Sequence, residues 1–62
     1  MKCYFEYRNY RGHTTGYSDD AEWTDYKDMS RRAYGLINRI DEIWTVIAHD
    51  VVTDEELCRW GM

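Results

Sequence analysis

The sequence predicts an α+β fold: a small antiparallel three-stranded sheet of strand order 2-1-3, one long helix packed on one face, and a short C-terminal helix, in the order β-β-α-β-α. Three observations carry this expectation. Residues 2–18 alternate in polarity on both sides of a turn signal, residues 26–40 place apolar side chains at three- and four-residue spacing, and residues 53–56 spell a helix-capping sequence.

In residues 2–7, Cys3, Phe5 and Tyr7 fall on one face of a strand and Tyr4 and Glu6 on the other. Asn9-Tyr10-Arg11-Gly12 then puts Asn and Gly at the first and fourth positions of a type I turn with a G1 bulge. Pairing Asn9 with His13 sets Arg8 opposite Thr14, Tyr7 opposite Thr15 and Phe5 opposite Tyr17, so that Phe5, Tyr7, Thr15 and Tyr17 share a face. Strands over 2–9 and 13–18 follow.

A helix is predicted over 20–40. Asp19 serves as its N-cap, and Glu22, three residues on, closes a capping box. Tyr26, Met29, Ala33, Leu36, Ile37 and Ile40 form one apolar stripe. Acids at its start and arginines at its end match the helix dipole, and Asp28 and Arg32 form an i,i+4 pair. Gly35 costs about 1 kcal/mol relative to Ala and is expected to allow a close approach to the sheet.

Ile43-Trp44-Thr45-Val46-Ile47-Ala48 is β-branched and aromatic, which favours a strand over 42–51. Ile37, Ile40, Trp44, Ile47 and Val51 would also extend the helical stripe, but the composition changes sharply after Asp41. The strand is apolar on both parities, so its outer face needs a cover. The terminal segment supplies the candidate: Thr53-Asp54-Glu55-Glu56 reads as a capping box, with Val52 and Leu57 as a hydrophobic staple. A helix over 54–60 ending at Gly61 would lay Leu57 and Trp60 on that face. Failing this, a partner or a second copy would cover it.

The 62 residues make one domain, 1–62, near the lower size limit for independent folding, where only about 60% of the unfolded chain's surface is buried. Six Tyr, three Trp and one Phe compensate, each large ring burying roughly 150–250 Å². With 44% apolar residues the chain does not have the composition of a disordered one. No signal-like or membrane-length apolar run occurs, so a soluble, cytoplasmic protein with no membrane contact is expected. Cys3 and Cys58 then read as free buried thiols. Together with His13 and His49 they lack zinc-ligand spacing, and neither a metal nor another cofactor is expected. No nucleophile elbow, phosphate-binding glycine loop or calcium loop is present, so the chain is read as not an enzyme, with no catalytic residues.

Charge points instead to binding. The net charge is −4, and its sign alternates along the chain: +2 over residues 1–18, −4 over 19–28, +3 over 29–40 and −5 over 41–62. Residues 19–28 hold the partner-binding candidates Asp19, Asp20, Glu22, Trp23, Asp25, Tyr26 and Asp28. Carboxylates with interleaved aromatics combine attraction for a basic surface with anchors that desolvate well. The same acids also suit a helix N-terminus, and Trp23 and Tyr26 also suit a core. Of the seven, Asp20, Trp23, Asp25 and Asp28 are the first to mutate.

Tyr4, Arg8, Tyr10, Arg11 and His13 form the alternative set, for single-stranded nucleic acid, through base stacking and phosphate contact. The overall acidity opposes a polyanion as direct ligand. The leading expectation is an inhibitor or adaptor for a larger protein with a basic, nucleic-acid-binding surface. In size and charge the chain resembles the small inhibitors that phages encode against host or defence enzymes, anti-CRISPR proteins among them. That resemblance implies carboxylates standing in for phosphates in a nucleic-acid groove. A structural homodimer through the outer sheet face is the third reading.

Overall fold

The structure, a computed structural model, describes residues 2–23 and 25–61. Thr24, inside the predicted helix, lies outside the described residues, as do Met1 and Met62 at the ends of the predicted domain. The elements are β1 (Lys2–Arg8), β2 (Thr14–Tyr17), β3 (Ala21–Glu22), α1 (Tyr26–Arg39), β4 (Thr45–Asp50) and β5 (Glu56–Gly61). The α+β class holds, but the predicted architecture does not. Among the described residues the sheet has five strands rather than three, ordered β2-β1-β4-β5 with β3 also paired to β1, and there is one helix rather than two.

The hairpin turn forms where Asn9 and Gly12 place it. The Asn9 amide donates to the His13 carbonyl at 3.0 Å, the Gly12 amide to the Asn9 carbonyl at 2.9 Å, and Asn9 Oδ1 accepts from the Arg11 and His13 amides at 3.0 Å each. Gly12 adopts φ +80°, which an L side chain resists. Arg8 pairs with Thr14 as expected. A bulge then shifts the ladder by one, pairing Tyr7 with Gly16 and Glu6 with Tyr17. Such a slip flips every later side chain to the other face. Tyr17, expected beside Phe5 and Tyr7, therefore lies 63% exposed on the Glu6 side, edge-on to Tyr4 at 6.0 Å.

Past Tyr17 the chain stays on the β1 edge instead of starting a helix. The Ser18 amide donates to the Phe5 carbonyl, and Ser18 Oγ accepts from the Phe5 amide, both at 2.9 Å. Ala21 and Glu22 then pair with Cys3 and Lys2 as β3, and Trp23 stacks on Phe5 at 5.4 Å and 15°. The helix starts six residues later than expected because the N-cap is Asp25, not Asp19: Asp25 Oδ1 accepts from the Asp28 amide at 2.7 Å. Both aspartates are followed by an acid three residues on, and the β1 backbone left to satisfy decides between them. Asp25→Ala is expected to lower stability by about 1 kcal/mol and Asp19→Ala by a few tenths at most, measured by urea denaturation. Equal losses would return the cap to Asp19.

Within α1, Met29 and Ala33 are buried and Leu36 and Ile37 pack beside them. Tyr26, expected in the stripe, is 60% exposed. A Cβ on Gly35 would meet nothing within 4 Å, so the close approach expected there is not made.

β4 is shorter than the predicted 42–51 and lies at the centre of the sheet, antiparallel to β1 on one side and to β5 on the other. The predicted 54–60 helix is thus corrected to a strand. A strand apolar on both parities has the pattern of a central strand, and residues 56–61 supply its second neighbour. The capping residues build the preceding turn instead. Asp50 Oδ1 accepts from the Val52 and Thr53 amides at 2.7 and 3.2 Å, Thr53 Oγ1 accepts from the Glu55 amide at 3.3 Å, and Asp54 adopts φ +62°. Val52 and Leu57 are both exposed and form no staple.

The core lies between the sheet and α1: Cys3, Phe5, Val46, Ala48 and Trp60 from the strands, Met29 and Ala33 from the helix, and Ile43 from the connection before β4. Trp60 Nε1 donates to Ser30 Oγ at 2.8 Å. Both cysteines are free; Cys3 is buried and Cys58 half-buried.

Candidate functional site

The acidic segment forms one margin of the molecule. Asp19 and Asp20 sit in the link between β2 and β3, Glu22 lies in β3, Asp25 caps α1, and Tyr26 and Asp28 occupy its first turn. All five carboxylates are exposed. Among the described residues, no cation lies within ion-pair range of Asp19, Asp20, Asp25 or Asp28. The Asp28–Arg32 pair expected at i,i+4 is not formed. Instead the Arg32 guanidinium carbon stands 5.9 Å from the centroid of the Trp23 ring. Tyr26 leans on Trp60 at 5.9 Å.

A groove of about 310 Å³ runs between this margin and the helix, lined by Phe5, Tyr7, Trp23 and Leu36 together with Asp19, Asp20 and Arg32. The fold therefore brings Asp19, Asp20 and Trp23 to one concavity. It places Asp25, Tyr26 and Asp28 beside it rather than in it.

The alternative set does not form one surface. Tyr4 and Arg8 lie on the sheet face opposite α1, whereas Tyr10, Arg11 and His13 belong to the hairpin turn. Tyr4 donates its hydroxyl to Asp54 Oδ1 at 2.9 Å, which raises the pKa of the phenol, and it stacks on His49 at 5.2 Å. Arg8 Nε donates to Glu6 Oε2 at 2.7 Å. Arg11 folds over Tyr10, its guanidinium carbon 5.5 Å from that ring.

Sequence reasoning missed the centre of the outer sheet face. Glu6 is only 5% exposed. Its Oε1 meets His49 Nε2 at 2.7 Å, and its Oε2 accepts from Arg8 Nε at 2.7 Å and from the Thr14 hydroxyl at 2.5 Å. Burial pushes the carboxyl pKa up, but the bonds from Arg8, Thr14 and His49 outweigh it and bring the value down to about 2. His49 Nδ1 lies 3.3 Å from the Asp54 carbonyl oxygen. Ile47 pairs with Glu6 on one side and Arg59 on the other, and is 0% exposed although α1 packs on the opposite face. Long polar side chains thus supply the cover expected from a terminal helix. The alternation of residues 4, 6 and 8 could have pointed to this face, but the pairing of Glu6 with His49 spans 43 positions and has no local signal.

Trp44 is 44% exposed, and its ring lies 6.0 Å from that of Tyr10. A second cavity of about 430 Å³ is lined by Ile37, Asp41, Ile43, Trp44 and Gly61. Among the described residues, no group of three or more His, Cys, Asp or Glu side chains is placed to hold a metal ion. No described helix is long and apolar enough to cross a membrane. No protein-family model matches the chain, and comparison with curated proteins and with solved structures finds no match.

Proposed function

We propose that this protein is a small binding module, an inhibitor or adaptor, that docks the margin formed by β3 and the start of α1 on a basic surface of a larger protein. One observation carries the reading: Asp19, Asp20, Asp25 and Asp28 are exposed, with no cation in ion-pair range among the described residues, on both sides of the half-buried Trp23. Capping accounts for Asp25, and the helix dipole for Asp28. Neither accounts for Asp19 and Asp20, whose repulsion would be relieved by a positive partner. Aromatic side chains within such a field supply the desolvated anchor that charge alone lacks.

The experiment is an affinity capture from extract of the source organism, followed by association kinetics with the captured protein. Asp25 is left in place because it caps the helix. The Asp19→Lys, Asp20→Lys, Asp28→Lys triple variant is expected to associate about tenfold or more slowly at low salt, and to lose most of the wild-type salt dependence. Circular dichroism checks that it folds. An association rate unchanged by the triple substitution would remove the proposal. Direct binding of single-stranded nucleic acid draws less support, because Glu6 lies between Tyr4 and Arg8 on the strand and engages the Arg8 guanidinium.

A further inference from the structure

The groove beside the acidic margin has a volume of about 310 Å³. That is the lower end of the roughly 300–1,000 Å³ typical of ligand sites, and it suits a single side chain better than a cofactor. Phe5, Trp23 and Leu36 give it apolar walls, the β2–β3 link contributes Asp19 and Asp20, and α1 contributes Arg32. We infer that this groove is an arginine pocket: it receives one arginine side chain projecting from the partner protein, with the guanidinium against Trp23 and its N–H groups donating to Asp19 and Asp20. The inference rests on the docking reading above and names the anchor of that interaction.

Charge complementarity selects the occupant. Two carboxylates of the groove have no cation in ion-pair range among the described residues, and the apolar walls would hold an alkyl stem. An arginine satisfies both requirements in one group, since its planar fork stacks on an aromatic ring while donating to carboxylates; a lysine ammonium does only the second. The molecule already holds a guanidinium near that ring. Arg32 stands 5.9 Å from the Trp23 centroid, and no hydrogen bond or ion pair fixes its head among the described residues. An exposed cation–π contact is worth only about 0.5–1 kcal/mol, so Arg32 is a displaceable occupant. The incoming arginine takes its place over the ring, and Arg32 turns out to solvent.

The test is an NMR titration of the folded chain at low salt with three capped tripeptides, Gly-Arg-Gly, Gly-Lys-Gly and Gly-citrulline-Gly. The arginine peptide should move the Trp23 indole and the Asp19, Asp20 and Leu36 amides to saturation. The lysine peptide should bind at least about threefold more weakly, and the uncharged citrulline peptide should not shift those signals. Removing the built-in occupant gives the sharper result. Arg32→Gln should bind the arginine peptide about threefold or more tightly than wild type, whereas Arg31→Gln, with the same change in net charge, should not. Equal shifts with arginine and lysine, shifts spread over Asp54 and Glu55 as well, or identical behaviour of the two Gln variants would each overturn the pocket. The docking reading is judged separately: if the pocket fails while the triple Lys variant still associates slowly, the margin binds a basic surface without an arginine anchor.

Discussion

Replacing Glu6 with alanine is expected to cost about 3–5 kcal/mol, read as the shift in a urea unfolding curve. That approaches the entire stability of a chain this small, so the variant should be largely unfolded at room temperature. The reason is geometric. The Glu6 carboxylate answers three donors at once, Arg8, Thr14 and His49, in a site that water scarcely reaches. Alanine opens an apolar gap above Ile47 and takes the acceptor from His49, whose side chain is only 15% exposed, while Arg8 and Thr14, which reach water, each lose a bond to a charged group. A largely buried donor left unmet costs more than its bond contributes. Glu6→Gln keeps the shape and one acceptor oxygen and should cost less.

The same carboxylate imposes a pH dependence. Its pKa falls from an ordinary 4.5 to about 2 on folding. The folded value is the lower one, so the stabilisation is fully present above pH 4.5 and is lost as the pH falls towards 2. It amounts to about 3 kcal/mol at one pKa unit per 1.36 kcal/mol. Glu56, lowered by its bond with Arg59, adds a smaller loss of the same sign from an exposed position. Glu6→Gln should therefore flatten most of the acid limb of the stability profile while leaving the part due to Glu56. An acid limb as steep in Glu6→Gln as in wild type would contradict the assignment.

What was legible in the sequence was whatever depends on neighbours within a few residues. Asn9 and Gly12 located the hairpin turn because the amide and φ requirements of that turn are met by those two residues themselves. The stripe from Met29 to Ile37 located the helix because its period reflects one buried side. The failures share a cause as well. Asp19 with Glu22 and Thr53 with Glu56 are sound capping signals, yet both segments go to strands because β1 and β4 have ladder positions to fill. A tertiary pairing that satisfies a whole edge outweighs a cap worth about 1 kcal/mol. The one-residue bulge at Thr15, between the Arg8–Thr14 and Tyr7–Gly16 pairs, was invisible for the opposite reason: TTGY fits either register, and only the position of Ser18 against Phe5 selects one.

The candidate site divides in the same way. Its charges were evident from composition, and Asp19 and Asp20 are as exposed as a binding role requires. Its shape was not, because the groove walls come from β1, the β2–β3 link and α1, whose juxtaposition follows from the pairing just described. Trp23 shows the difference clearly. Read on a helix it is one more turn of an amphipathic face; read after β3 it lies flat on Phe5 and becomes the wall of a concavity.

Trp60→Ala is the second substitution expected to unfold the chain, at a cost of about 3–5 kcal/mol measured by thermal and urea denaturation. The indole is buried under α1, edge-on to Phe5 at 5.8 Å, with its N–H donated to Ser30 Oγ at 2.8 Å. Removing it opens a cavity that a two-layer fold of this size has few side chains to fill. Trp60→Phe retains an apolar ring and loses the hydrogen bond, for about 1–2 kcal/mol, and Ser30→Ala should cost about the same because it strands a buried indole N–H. The pair distinguishes the strand from the helix that the local sequence favours. With residues 56–61 as β5, Trp60 and Ser30 are bonded, and the double variant should show a coupling of about 1 kcal/mol. With residues 54–60 as a helix on the outer face, the two side chains would lie on opposite sides of the sheet and their effects would add. The cycle also reaches the proposed site, since Trp60 abuts Phe5 and Phe5 carries Trp23. Trp60→Phe, which changes the ring packed against Phe5, should therefore weaken capture of the arginine peptide even though residue 60 lines no part of the groove, whereas Ser30→Ala, which leaves the ring stack in place, should leave that binding nearly unchanged.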